Sequence, residues 1–265
     1  MTAQRPLILI TNDDGIASKG LCVAAEVCEP LGELLIVAPH QQQSGAGRSM
    51  PPTSEGRIFQ QDLRINDHAI VAYAIEGTPA QVVQHGLFEI AERKVDLVVS
   101  GINYGENLGE GVAVSGTVGA TMESASFEIP SIAISVETAP EHYLSLSDEV
   151  DFSGAAHFLW LFAKRTLEQG FPPKTDLLKI DVPNTATRDT EWRWTRLSQM
   201  RYFVPVKPHR RRPTDPGPMG YETHIDVEQL ERDSDVYAVR IDHVVSVTPM
   251  TLDMTAPIDL NSLPK

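Results

Sequence analysis

A short aliphatic run, Leu7-Ile8-Leu9-Ile10-Thr11, ends abruptly in Asn12-Asp13-Asp14-Gly15. Such a run, bounded by turn residues, predicts a parallel strand buried on both faces. Parallel strands need crossover connections, so the run commits the chain to an α/β fold. In open sheets of this kind ligands bind beyond the carboxyl ends of the strands. Asp13 and Asp14 therefore fall where chemistry is done, and two neighbouring carboxylates repel unless a proton or cation joins them.

The following segments keep the same rhythm. Leu21, Ala24, Ala25 and Cys28 have helical spacing, stopped by Pro30 and Gly32. Residues 34–38 read as a second buried strand. Residues 58–65 and 70–75 read as a hairpin turning at Asn66-Asp67. Thr78 and Pro79 suit the cap and first position of a helix with an inner stripe of Val83, Leu87 and Ile90. Residues 95–100 and 132–136 read as strands. Between them Ser115-Gly116-Thr117 caps a helix carrying Val118, Met122 and Ala125. Residues 152–167 form an amphipathic helix and 177–182 a further strand. The expected fold class is α/β, a mostly parallel sheet with helices on both faces. Beyond residue 184 helical periodicity is lost. Segments 192–203, 221–226, 236–241 and 244–248 read as antiparallel strands or hairpins. The chain divides into a catalytic region, 1–183, and a β-rich extension with a closing strand, 184–265.

With 42% hydrophobic residues, the 265-residue chain can bury a sizeable core. It has no apolar stretch of membrane-spanning length, and Arg5-Pro6 runs straight into the first strand, leaving no room for a signal peptide. The only two cysteines, Cys22 and Cys28, point in different directions on one helix and read as inert core thiols, which suits the cytoplasm. The net charge of −14 argues against binding duplex nucleic acid. One basic run, His209-Arg210-Arg211-Arg212, lies in a Pro/Gly-rich stretch and reads as a solvated loop or a phosphate- or subunit-contacting arm.

Four polar clusters follow strand ends: Asn12-Asp13-Asp14-Gly15, Ser44-Gly45 within a long loop, Gly101-Ile102-Asn103 with Asn107, and Ser115-Gly116-Thr117. Two carboxylates with Ser and Asn oxygens make an all-oxygen donor set, suited to Mg²⁺ or Mn²⁺ rather than zinc or copper. The Ser115 helix start is also an anion site. Each cluster has a plainer reading. Asn-Asp-Asp-Gly is good turn chemistry, Ser-Gly marks flexible loops, Asn tolerates left-handed backbone, and Ser115 suits a simple cap. Their shared position at strand ends is what groups them.

The stretches Ile10-Thr11-Asn12-Asp13-Asp14-Gly15-Ile16, Gln43-Ser44-Gly45, Gly77-Thr78-Pro79-Ala80, Val99-Ser100-Gly101-Ile102-Asn103-Tyr104-Gly105-Glu106-Asn107-Leu108-Gly109, Ser115-Gly116-Thr117-Val118 and Val245-Ser246-Val247-Thr248-Pro249 resemble, in order and spacing, the SurE family of metal-dependent nucleotidases. The chain departs from the family pattern at Arg48-Ser49-Met50-Pro51-Pro52 and around residues 217–223. The resemblance implies a Rossmann-like domain with a C-terminal hairpin used in assembly as homodimer or homotetramer. It implies hydrolysis of nucleoside 5′- and 3′-monophosphates, with short polyphosphate as a further substrate. It places one divalent cation per subunit, Mg²⁺ or Mn²⁺, on Asp13, Asp14, Ser44 and Asn103.

On this reading Asn12, Gly45, Asn107, Ser115, Gly116 and Thr117 hold the phosphoryl group, and Asn12 and Asp13 take catalytic roles. Metal-activated water is the expected nucleophile, with attack by Asp13 itself as the other route. A non-hydrolytic nucleotide-sensing module using the same crevice is the alternative from another class. Without a Gly-x-Gly-x-x-Gly turn after the first strand, a dinucleotide oxidoreductase is disfavoured.

Overall fold

In the computed structural model, which describes residues 4–139, 142, 147 and 149–259, the expected rhythm is present. The chain runs β1 (Leu7–Thr11), α1 (Lys19–Cys28), β2 (Glu33–Pro39), β3 (Ile58–Ile65), β4 (His68–Ile75), α2 (Pro79–His85) and β5 (Leu97–Tyr104). It continues through α3 (Gly116–Ala125), β6 (Ser131–Val136), α4 (Ser153–Gln169), β7 (Leu177–Val182), β8 (Trp192–Trp194), β9 (Phe203–Val206), β10 (Gly220–Thr223), α5 (Asp235–Arg240) and β11 (Val245–Met250).

Nine strands form one sheet in the order β3-β4-β2-β1-β5-β6-β7-β11-β8. The stretch from β4 to β7 is parallel throughout, while β3 and β11 run antiparallel to β4 and β7. The β3–β4 hairpin turns at Asn66 and Asp67, whose φ values of 42° and 68° are those of a two-residue primed turn. Side chains of β1 alternate between two cores. Ile8 and Ile10 pack with Leu21, Phe158 and Phe162 of α1 and α4, and Leu7 and Leu9 pack on the α2 side with Val82. Helices thus cover both faces, and the order in which strands are added reverses between the parallel neighbours β1 and β5, which creates the crevice where ligands enter such sheets. Among the described residues no helix is long and apolar enough to cross a membrane. Cys28 is fully buried, which pushes its thiol up to about 12.

The region beyond residue 184 differs from the all-strand expectation. Segment 236–241 is not a strand but most of α5. Ser234 Oγ accepts the amide of Tyr237 at 3.2 Å, and Val236 and Val239 are buried at i, i+3 spacing. Six helical residues carry too few turns for periodicity to outweigh the strand preference of valine. The expected strand over 192–203 forms only at Trp192–Trp194 and at Phe203, the first residue of β9, and Trp192–Trp194 joins the main sheet parallel, not antiparallel, to β11. β9 and β10 pair antiparallel as a separate hairpin.

Candidate metal and phosphate site

The site begins where β1 ends, with Thr11 paired to Ser100 of β5. Asn12, fully buried, closes the next turn on itself. Its Nδ2 donates to the Gly15 carbonyl at 3.0 Å and its Oδ1 accepts the Gly15 amide at 3.1 Å. This side chain is a lock that aims the two aspartates between its ends.

Asp13 faces the start of α3. Thr117 Oγ1 donates to Asp13 Oδ1 at 2.6 Å, and the backbone amides of Thr117 and Gly116 support the same carboxylate. A Cβ on Gly116 would lie 2.6 Å from the Asp13 Cβ, so only glycine permits this approach. The helix start therefore takes an anion from the chain itself, while the Ser115 hydroxyl caps the Val118 amide at 3.1 Å. Asp14 turns the other way, accepting the Tyr104 amide at 3.3 Å and Gln42 Nε2 at 3.0 Å.

The long loop is tied down by the same turn. The Gln43 amide donates to the Asp13 carbonyl at 2.7 Å, and the Gly47 amide to the Val114 carbonyl at 3.0 Å. Ser44 and Gly45, exposed, lie between these two bonds, beside both Asp13 and the segment entering α3. Asn103 precedes Tyr104, and its Nδ2 donates to the Gly105 carbonyl at 2.7 Å. Asp13, Asp14, Ser44 and Asn103 are thus carried by three segments bonded to one turn. Asn107 is held from below. Its amide donates to Asp181 Oδ1 at 2.7 Å and its Nδ2 to Ser135 Oγ at 2.8 Å.

Asp13 and Asp14 are only 5% and 3% exposed, and no lysine or arginine pairs with either among the described residues. Burial, and then the charge of Asp13, pushes Asp14 up to about 8. Burial raises Asp13 too, against the hydrogen bond from Thr117. A like-charged buried pair of this kind fits a hard divalent cation, whose charge would relieve the repulsion. Among the described residues no three His, Cys, Asp or Glu side chains gather, so the remaining ligands would be neutral oxygens.

Sequence reasoning overlooked the partners that orient these groups. Gln42 carried no distinguishing signal within Gln41-Gln42-Gln43. Lys179 and Asp181 did: two charges at i, i+2 put both on one face of an otherwise apolar strand.

Comparison with known proteins gives a consistent picture. The profile of the family described as Survival protein SurE matches residues 8–204. The protein named 5′-nucleotidase SurE of Thermococcus gammatolerans is 41% identical over 259 residues, covering 97% of this chain and 94% of its own. Its namesake from Thermococcus kodakarensis is 40% identical, covering 97% of each. The crystal structure of the SurE protein from Aquifex aeolicus superposes with a TM-score of 0.75 at 32% identity, covering 94% of this chain and 95% of that one.

Proposed function

The chain belongs to the SurE family, and from that premise we propose that it is a divalent-metal-dependent 5′-nucleotidase that releases phosphate from nucleoside monophosphates. The buried pair Asp13 and Asp14, without a cationic side-chain partner among the described residues, carries the reading. The name shared by the Thermococcus relatives supports it. Asp13, Asp14, Ser44 and Asn103 would hold one Mg²⁺ or Mn²⁺. Bound there, the cation supplies positive charge to phosphoryl oxygens and lowers the pKa of a coordinated water.

The chain's own groups do the rest. Thr117 and Gly116 fix the Asp13 carboxylate, Gln42 and Tyr104 fix that of Asp14, and Asn12 closes the turn that carries both through its bonds to Gly15. The phosphoryl group would lie against Ser44 and Gly45, where a Cβ on Gly45 would meet nothing within 4 Å. The nucleoside end would extend toward the segment that precedes α3. Just before Ser115, Gly111 and Val114 line a cavity of about 630 Å³ with Phe203 and Tyr221, whose rings suit a base. Action on 3′-monophosphates and on short polyphosphate belongs to the same proposal. So does assembly through the hairpin β9–β10, where Tyr221 is 66% exposed.

The deciding experiment is phosphate release from a panel of nucleoside 5′- and 3′-monophosphates, with chelator and after restoring Mg²⁺ or Mn²⁺. Release is expected only with metal. Release that ignores chelator overturns the metal role, and nucleotide binding without release makes the protein a sensor.

A further inference from the structure

Among the described residues, Lys179, Asp181 and Asp235 are the most deeply buried charges away from the strand-end site, at 0% exposure each. Lys179 Nζ pairs with Asp181 Oδ2 and, at 3.0 Å, with Asp235 Oδ2. Burial works against its charge, but the two carboxylates overcome this and hold the lysine above its ordinary range. The remaining carboxylate capacity is spent on backbone. Asp181 Oδ1 accepts the Asn107 amide at 2.7 Å, and Asp235 accepts the amides of Gly109 and Ser198, each at 2.9 Å. Asn107 is clamped on its other side by Ser135, which stands opposite Asp181 in the β6–β7 register. One residue earlier, Glu106 accepts the Tyr202 hydroxyl at 2.7 Å. Each of residues 106, 107 and 109 is therefore held by a group from β6, β7 or the last third of the chain.

That segment lies between Asn103-Tyr104, which touches Asp14, and the turn leading to the Ser115 cap beneath Asp13. We propose that Lys179, Asp181 and Asp235 form a positioning centre that holds residues 105–109 and, through them, sets the spacing of the two ends of the phosphatase site. The ion cluster is not itself in the reaction. Its carboxylates act on backbone amides, so Asn at Asp181 keeps the Asn107 bond through its single carbonyl oxygen at the cost of the Lys179 contact, whereas an apolar residue removes both.

Asp181→Asn and Asp181→Leu separate these cases. In Asp181→Leu, amide hydrogen exchange of residues 105–113 is expected to rise at least about tenfold while that of residues 7–28 stays at the parent rate. Its kcat/KM for a nucleoside monophosphate is expected to fall at least about tenfold, with Asp181→Asn within about threefold of the parent. The kinetic half rests on the phosphatase reading, which the parent chain decides in the same assay; the exchange half does not. Ser135→Ala removes only the Asn107 side-chain bond and should raise exchange in the same segment should Asp181→Leu fail to fold. Unchanged exchange at 105–113 in both variants, or an equal rise across the whole chain, would overturn the proposal.

Discussion

Asp13 and Asp14 stand at the end of β1 with no lysine or arginine paired to them among the described residues, whereas Asp181 and Asp235 share the ammonium of Lys179. Both pairs are buried, and both accept hydrogen bonds from backbone amides. The difference is the counter-charge. One site encodes its cation in the sequence, and that cation stays for the life of the fold. The other has no such group among the described residues: burial and the neighbouring charge raise Asp14 to about 8, whereas Asp181, also raised by burial, is pulled back by Lys179. A buried acid with a resident base is architecture; a buried pair of acids without one is what the proposed function makes a metal site.

The largest effect should come from making the Asp13 and Asp14 pair more like an ordinary core. Asp14→Asn removes a proposed metal ligand and should lower metal-dependent phosphate release on the order of 10³-fold. The same change removes a buried like charge, so the metal-free protein should melt no lower than the parent. Full turnover in this variant would break the comparison at its active end. Lys179→Met is the converse test. It strands two buried carboxylates and should cost about 3–5 kcal/mol in urea unfolding. A Lys179→Met protein as stable as the parent would show that the two sites do not differ in kind.

A pH series gives a smaller but diagnostic signal. The carboxyl of Asp14 lies at about 8 in the folded chain against an ordinary 3.8, so between these values the native state holds a proton that the unfolded chain has lost. That contribution to stability is complete below the lower value and disappears as pH rises through the upper one. In chelator, the melting temperature of the parent should therefore fall relative to Asp14→Asn between about pH 4 and 8. Saturating Mg²⁺ or Mn²⁺ should erase the difference. Parallel curves for the two proteins would remove the electrostatic argument. The mildest change, Thr117→Val, deletes the hydroxyl bonded to Asp13 and should weaken metal affinity about tenfold by calorimetric titration, leaving the fold intact.

The contrast also explains what could be read in advance. β1, its aspartates and the strand-end clusters were legible because burial on both faces leaves an unbroken aliphatic run, and its interruption is conspicuous. The β3–β4 turn was legible for a similar local reason, since Asn66-Asp67 tolerate positive φ. Lys179 and Asp181 were read only as part of a strand. Their meaning depends on Asp235, contributed by a helix more than fifty residues away, and no local pattern announces that partner. Segment 236–241 failed in the same way: Val236 and Val239 favour strand in isolation, and Ser234 together with burial decides for helix.

The bond between the Gly109 amide and Asp235 spans 126 positions of the chain. A ribosome that has made the first two hundred residues has already delivered Asp13, Asp14, Ser44 and Asn103, yet it has not made the carboxylate that fastens Gly109. During synthesis, then, Gly109 should stay unfastened until residue 235 has left the ribosome, so the strand-end turn is made long before the contact that tethers its neighbouring segment.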